Sequence, residues 1–135
     1  MSVRRIVIAG AATLAACGVL GMAPAAVQAS PATALTWTKQ HPASHPPART
    51  GAAMAYDAAT GTAVLFGGGS NLGVLGDTWT WDGTTWTQQA PAASPPARAQ
   101  AAMAYDAATG TAVLFGGYDI TGRGVHDLAD TWTWG

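Results

Sequence analysis

Short apolar stretches separated by turn signals dominate the chain after residue 50. Met54–Tyr56 predicts a strand, and Asp57–Gly61 predicts a turn, because Asp bonds its own backbone and Gly tolerates a left-handed conformation. Thr62–Phe66 is apolar at successive positions, which predicts a return strand that is covered on both faces. Gly67-Gly68 then predicts the end of that strand, at a place where backbones approach closely.

The next stretch completes a unit of four strands. Asp77–Trp81 alternates polar and aromatic residues, which predicts a half-exposed strand. Asp82-Gly83 is a hairpin signal, and Thr84–Thr87 follows it as the outer return strand. We therefore predict an all-β fold built from four-stranded antiparallel units.

This unit is repeated. Ala52–Gly68 returns letter for letter at Ala101–Gly117, a shift of 49 residues. The same shift carries Trp37 onto Trp86 and Pro46–Arg49 onto Pro95–Arg98. An identical block at a period of about 50 residues indicates a structural repeat and is typical of a propeller blade.

Two copies of one motif carry a resemblance to a known family. An arginine, an apolar strand that ends in two glycines and spaced tryptophans resemble the Kelch repeat of galactose-oxidase-like propellers. The resemblance implies a partial β-propeller of about two blades, with repeat 1 at 49–97 and repeat 2 at 98–135. It implies a scaffold without catalytic, cofactor or metal residues. The repeat motif comprises Arg49, Tyr56, Gly67, Gly68, Asp77, Trp79, Trp81 and Trp86, and in the second copy Arg98, Tyr105, Gly116, Gly117, Asp130, Trp132 and Trp134.

The repeat count departs from the family, whose propellers close with six or seven blades. Leu35–Thr38 matches the outer strand Thr84–Thr87, and repeat 2 stops where its own outer strand should begin. Three copies could close a six-bladed ring in which the Trp37 strand of each completes a neighbour's second blade. The alternative, which we favour from the sequence, is a remnant or truncated reading frame of a longer protein.

The N-terminus predicts export. Met1–Ala29 has a basic start at Arg4 and Arg5, an apolar helical segment and a small-residue cleavage site before Ser30. We expect a secreted protein, with 30–48 as a lead, outer strand and Pro-rich linker. An uncleaved membrane anchor is an alternative. Cys17 closes a segment that resembles a bacterial lipobox, so lipid anchoring at the outer face of the cell membrane is another.

Charge excludes one class of partner. Only 10% of the residues are charged and the formal net charge is −1, so the chain carries no electrostatic footprint for nucleic acid. After residue 29, one Lys and three Arg stand against seven Asp, which gives −3. Cys17 is the only cysteine, so a cleaved chain would have neither a disulfide nor thiol chemistry.

Few residues suggest a site. His41 and His45 have a metal-ligand spacing, but the neighbouring prolines forbid the helix that this spacing needs, and we expect solvated linker residues. The Tyr118–Ala129 loop is our candidate ligand loop because rim loops of propellers contact ligands, although an ordinary polar loop is the simpler interpretation. Its candidate residues are Asp119, Arg123, His126 and Asp127.

Aromatic and ionic residues of the repeat have structural interpretations. The six tryptophans suit sugar stacking, but their motif positions favour packing between blades. Tyr56 and Tyr105 are interpreted as packing residues, and we expect Arg49 and Arg98 to pair with Asp77 or Asp130. Copper-radical oxidase chemistry would need a Tyr–Cys link that a cleaved chain could not form.

We therefore predict a non-catalytic binding or scaffold module without a cofactor. Its contacts with an unidentified protein or carbohydrate would be made through the 69–76 and 118–129 segments. The alternatives are a fragment or relative of a galactose-oxidase-like carbohydrate-active enzyme, and a truncated product without independent function.

Overall fold

Nine β-strands form the regular structure of residues 34–135, the part of the chain that the computed structural model describes. The prediction of an all-β fold is confirmed for these residues, whereas the predicted signal peptide at 1–29 lies outside them. The strands are β1 (Ala53–Asp57), β2 (Thr62–Ser70), β3 (Gly73–Trp81), β4 (Trp86–Gln89), β5 (Ala102–Asp106), β6 (Thr111–Phe115), β7 (Tyr118–Thr121), β8 (Gly124–Asp127) and β9 (Thr131–Trp134).

The first repeat forms the predicted four-stranded antiparallel sheet, in the order β1-β2-β3-β4. Leu65 stands opposite Met54 of β1 and Trp79 of β3, and Thr80 stands opposite Thr87 of β4. The second repeat forms a three-stranded sheet, β5-β6-β9, and a separate two-stranded sheet, β7-β8. None of these sheets is closed within the described residues.

Side-chain oxygens close the turns where the sequence predicts them. Asp57 is fully buried, and its Oδ1 accepts hydrogen bonds from the backbone N–H groups of Ala59 (2.9 Å) and Thr60 (3.3 Å). Gly61 completes this turn with a φ of +70°. In the β3–β4 hairpin, Asp82 Oδ1 accepts from the N–H groups of Thr84 and Thr85 at 2.8 and 2.7 Å. Both turns are thus confirmed, but β4 begins at Trp86 and not, as predicted, at Thr84, because Thr84 and Thr85 belong to the connection.

The double glycine does not end the strand in the first repeat, contrary to the prediction. β2 continues to Ser70 with a register shift between Phe66 and Gly68, because β3 is long enough to pair on both sides of the irregularity. In the second repeat β6 does end before Gly116-Gly117. The 118–129 segment, predicted as a loop, contains the β7–β8 hairpin.

The predicted outer strand at Leu35–Thr38 has no partner strand within the described residues, and its pairing with a neighbouring copy stays a prediction. Residues 34–40 have no regular secondary structure, and the side chains of Leu35 and Trp37 are fully exposed. A strand persists only when a neighbouring strand satisfies its backbone groups. β4 obtains that neighbour through a short hairpin from β3, whereas no hairpin within the described residues leads into Leu35–Thr38.

The two larger sheets pack against each other through apolar side chains. Residues 38–135 form one compact unit in which β1 contacts β5 and β6. Ala53 and Phe66 of the first sheet form a buried cluster with Leu114 of the second, and Met103 and Trp132 pack against it. The core of the described chain is therefore the interface between its two repeats.

Backbone hydrogen bonds also join the repeats. The Arg98 N–H donates to the Leu75 carbonyl at 3.0 Å, and the Gly68 N–H donates to the Arg98 carbonyl at 2.8 Å. A Cβ on Gly67, whose φ is +64°, would overlap the Arg98 carbonyl oxygen. The predicted close approach at the double glycine is thus confirmed, and the neighbouring backbone belongs to the next repeat.

Candidate functional site

An Arg–Asp–Trp cluster occupies the same position in each repeat. In the first repeat Arg49 binds Asp77 through two parallel hydrogen bonds, Nη1–Oδ1 at 2.6 Å and Nη2–Oδ2 at 2.9 Å. Its Nη1 also donates to the Gly67 carbonyl at 3.0 Å, and its Nε donates to the Pro47 carbonyl at 3.1 Å. Trp79 Nε1 donates to Asp77 Oδ2 at 2.6 Å, so the carboxylate receives three side-chain donors.

The second repeat reproduces this geometry. Arg98 binds Asp130 with Nη1–Oδ1 at 2.5 Å and Nη2–Oδ2 at 2.8 Å, and it donates to the carbonyls of Gly116 and Pro96, both at 3.1 Å. Trp132 Nε1 donates to Asp130 Oδ2 at 2.7 Å. The predicted pairing of each arginine with an aspartate of its own repeat is confirmed.

These contacts keep both carboxylates ionised. The hydrogen bonds from Arg49 hold the pKa of Asp77 below its ordinary value, although partial burial acts in the opposite direction. The hydrogen bonds from Arg98, and then that from Trp132, lower the pKa of Asp130. A carboxylate that is stabilised in this way is a poor general acid or base near neutral pH, so the clusters have the chemistry of structural ion pairs.

The two clusters position the hairpins that follow each double glycine. Thr50, next to Arg49, exchanges backbone hydrogen bonds with Gly69 at 2.9 and 2.7 Å. Ala99, next to Arg98, does the same with Tyr118 at 3.0 and 2.9 Å. The outer part of the β2–β3 hairpin, from Gly69 onward, and the start of the β7–β8 hairpin are therefore fixed by equivalent contacts.

An open groove of about 530 Å³ lies between these hairpins. The first repeat contributes Thr50, Ser70 and Asn71 to its lining, and the second contributes Tyr118 and Ile120. Its remaining lining residues are Ala48, Arg49, Gly69, Gly73 and Val74. Both segments predicted to make contacts, 69–76 and 118–129, thus border one groove.

The structure separates the four candidate residues of the predicted ligand loop. Asp119 and His126 face each other across the β7–β8 hairpin, with Oδ1 and Nδ1 3.2 Å apart. Arg123 is exposed in the turn of this hairpin. Asp127 lines a different groove, of about 410 Å³, together with Phe115 and Leu128. None of the four lines the larger groove.

The linker histidines show no metal geometry. His41 and His45 are exposed in a segment without helix, and His45 Nδ1 lies 3.0 Å from the Pro46 carbonyl oxygen. Among residues 34–135 no three His, Cys, Asp or Glu side chains come together as a metal site would require. That same range contains no helix with the length and apolar character needed to cross a membrane.

Most tryptophans contribute to packing in this structure. Trp79 is buried, while Trp81, Trp86, Trp132 and Trp134 are half-buried. Trp81 and Trp86 form a tilted pair with ring centroids 5.4 Å apart. Trp37 differs, because its side chain is fully exposed.

Sequence reasoning missed the individual residues of the larger groove. It selected charged and imidazole side chains of the second hairpin, whereas the groove is lined by Ser70, Asn71 and Tyr118, which carry hydroxyl and amide groups. A usable signal was present, since the 69–76 and 118–129 segments each follow a double glycine directly and should emerge at the same edge. No protein-family model matches this chain, and no curated protein is similar enough to count as a relative.

Proposed function

We propose that this chain is an exported, non-catalytic binding module of the Kelch type, and that its ligand occupies the groove between the β2–β3 and β7–β8 hairpins. The observation that carries the proposal is the groove itself, which draws its lining from both repeats. Its volume of about 530 Å³ falls within the range of about 300 to 1,000 Å³ that is usual for small-ligand sites.

The Arg–Asp–Trp clusters support a scaffold role. The guanidinium groups of Arg49 and Arg98 each make four hydrogen bonds within the chain. Both carboxylates accept from an arginine and a tryptophan. These are the residues on which the Kelch resemblance depends, and their geometry is what a repeat motif that holds its own sheet together requires.

The groove favours an uncharged ligand with hydroxyl groups. Tyr118 offers an aromatic ring, Ser70 and Thr50 offer hydroxyls, and Asn71 offers an amide that both donates and accepts. Arg49 borders the groove, but its charge is neutralised by Asp77. Aromatic faces beside neutral hydrogen-bonding groups suit a sugar ring, so we assign an oligosaccharide as the ligand class.

Binding to a glycan panel, followed by calorimetric titration of the best oligosaccharide, tests this proposal. We expect Asn71→Ala and Tyr118→Ala to weaken binding by about tenfold or more, because each removes a hydrogen bond or a stacking face. Arg123→Ala is the matched control, since Arg123 is exposed on the same hairpin but does not line the groove. The absence of any glycan binding, or equal affinity in all three variants, would refute the proposal.

Export depends on the predicted signal peptide. N-terminal sequencing of protein recovered from the medium should begin at Ser30. A chain that remains membrane-bound and carries a lipid on Cys17 would contradict secretion in favour of lipid anchoring.

A further inference from the structure

One interface inside this chain is built from two different sheet faces. We call the face of the first sheet that carries Ala53, Val64 and Phe66 the Phe66 face; Ala53 and Phe66 are opposite each other in register. We call the face of the second sheet that carries Met103, Leu114 and Trp132 the Met103 face; Leu114 is opposite both of the others. These two faces pack on each other and form the buried cluster.

Each sheet also has a second face, and this face carries the same residue types as the interface face of the other sheet. The second sheet carries Ala102, Val113 and Phe115, which repeat the letters of the Phe66 face; we call this its Phe115 face. The first sheet carries Met54, Leu65 and Trp79, which repeat the letters of the Met103 face; we call this its Met54 face. The chain thus contains each half of the interface twice but forms it once.

The exposure of identical residues shows which halves lack a counterpart. Phe66 is 3% exposed and Phe115 is 52% exposed, although they occupy the same position in identical 17-residue blocks. Ala53 is 5% exposed, whereas Ala102 is exposed. Met103 is half-buried in the cluster, while Met54 is 50% exposed. Within the Met54 face, Leu65 is half-buried and Trp79 is already buried, so Met54 is the member of the three that remains accessible. Met54 shares its face of β1 with Tyr56, which is 61% exposed, so this face has a contiguous accessible patch of the kind that interaction surfaces present.

We propose that a second copy of this chain docks its Met54 face on the Phe115 face of the first copy. The counterpart that the Phe115 face requires is a sheet face with Met, Leu and Trp at the register positions of Met103, Leu114 and Trp132. The Met54 face presents those residue types at those register positions. The new contact would therefore repeat an interface that the chain already forms.

This contact is heterologous, because one copy uses its Phe115 face and the other its Met54 face. Each added copy brings a further free face, so association continues until a ring closes or extends as an open array. A ring has one mass at every protein concentration above its assembly threshold, whereas an open array grows with concentration. Either result supports the proposed contact; which of the two forms depends on the rotation that relates one copy to the next.

Light scattering coupled to size exclusion, over a range of protein concentrations, measures this association. We expect the wild-type chain to have a mass of at least two copies. Phe115→Asp and Met54→Asp each place a carboxylate in one half of the contact, and each should weaken self-association by about a hundredfold or more. Both side chains are about half exposed, at 52% and 50%, so the single chain should retain its fold.

Mixing the two variants gives the decisive measurement. Phe115→Asp retains an intact Met54 face and Met54→Asp retains an intact Phe115 face, so the mixture should form a complex of one copy of each and grow no further. The double variant Met54→Asp/Phe115→Asp is the matched control. Because both of its faces are changed, it should remain monomeric, alone or mixed with either single variant. If a variant loses the β-sheet circular dichroism of the wild type, the corresponding Ser substitution replaces it. A monomeric wild type, or a mixture without the one-to-one complex, would overturn the proposal.

Discussion

Replacing Arg49 tests whether the Arg–Asp–Trp cluster stabilises the first repeat. The Arg49 side chain is 6% exposed and Asp77 is 21% exposed, so this ion pair is largely shielded from water. Arg49→Met preserves the length and apolar stem of the side chain but removes four hydrogen bonds. It leaves Asp77 with Trp79 as its remaining side-chain donor, and it leaves the buried Gly67 carbonyl without its arginine partner.

The expected loss is about 3 kcal/mol in the free energy of unfolding. Removing one partner of a buried ion pair costs roughly 3 to 5 kcal/mol, because the other charge stays buried without compensation. We expect the lower end, since Asp77 is partly accessible and Trp79 still donates to it. For a domain of this size, a loss of about 3 kcal/mol lowers Tm by about 12 to 24 °C.

Urea unfolding followed by tryptophan fluorescence, together with thermal melts, provides the assay. Asp77→Asn and the double variant Arg49→Met/Asp77→Asn complete a double-mutant cycle, in which we expect a coupling of at least about 1 kcal/mol. Arg123→Met is the control, because an exposed turn residue should change stability by less than about 0.5 kcal/mol. A loss for Arg49→Met no larger than that of the control would refute the structural role of the cluster.

Three further predictions follow from the same packing. Gly67→Ala should lower the free energy of unfolding by at least about 3 kcal/mol, because the new Cβ would overlap the Arg98 carbonyl oxygen. Gly110→Ala, at a similar φ of +73° with open space around it, should lower it by about 1 to 2 kcal/mol. Urea titrations compare the two variants, and equal losses would exclude the overlap. Phe66→Ala should lower the free energy of unfolding by about 3 to 5 kcal/mol, and Phe115→Ala by less than about 1 kcal/mol, when urea unfolding is measured on monomeric chains. Similar losses for the two variants would contradict the difference in burial. Because the pKa of Asp77 is held below its ordinary 3.8, its contribution is present above that pH and is lost as the pH falls through the lowered pKa, so acid titration of Asp77→Asn should show a shallower loss of stability than wild type below about pH 4.

Turns and ion pairs could be predicted from the sequence wherever they depend on residues that are close along the chain. The turn at Asp57–Gly61 needs only an aspartate that bonds its own backbone and a glycine at positive φ, and both are present. The β3–β4 hairpin likewise depends on Asp82 and the residues directly after it. The Arg49–Asp77 pair was also predictable, because a buried arginine in a repeat with few charges requires an aspartate nearby.

Strand pairing that depends on residues far away in the sequence could not be predicted. Leu35–Thr38 has the residue types of an outer strand, but a strand also needs a neighbouring strand, and none pairs with it within the described residues. The fate of the double glycine differs between the repeats for the same reason. β3 continues the pairing beyond Gly68, whereas the longer 118–129 segment pairs with itself after Gly117.

By itself, the sequence determined the turns, the ion pairs and the strands other than β7 and β8, since these arise from contacts within about 30 residues of the chain. It could not determine which of two identical segments is buried. Phe66 and Phe115 have the same neighbours in sequence, and only the packing of one sheet on the other makes the first a core residue and leaves the second at the surface. The groove between the hairpins arises in the same way, because its two sides come from different repeats and meet only after those repeats have packed.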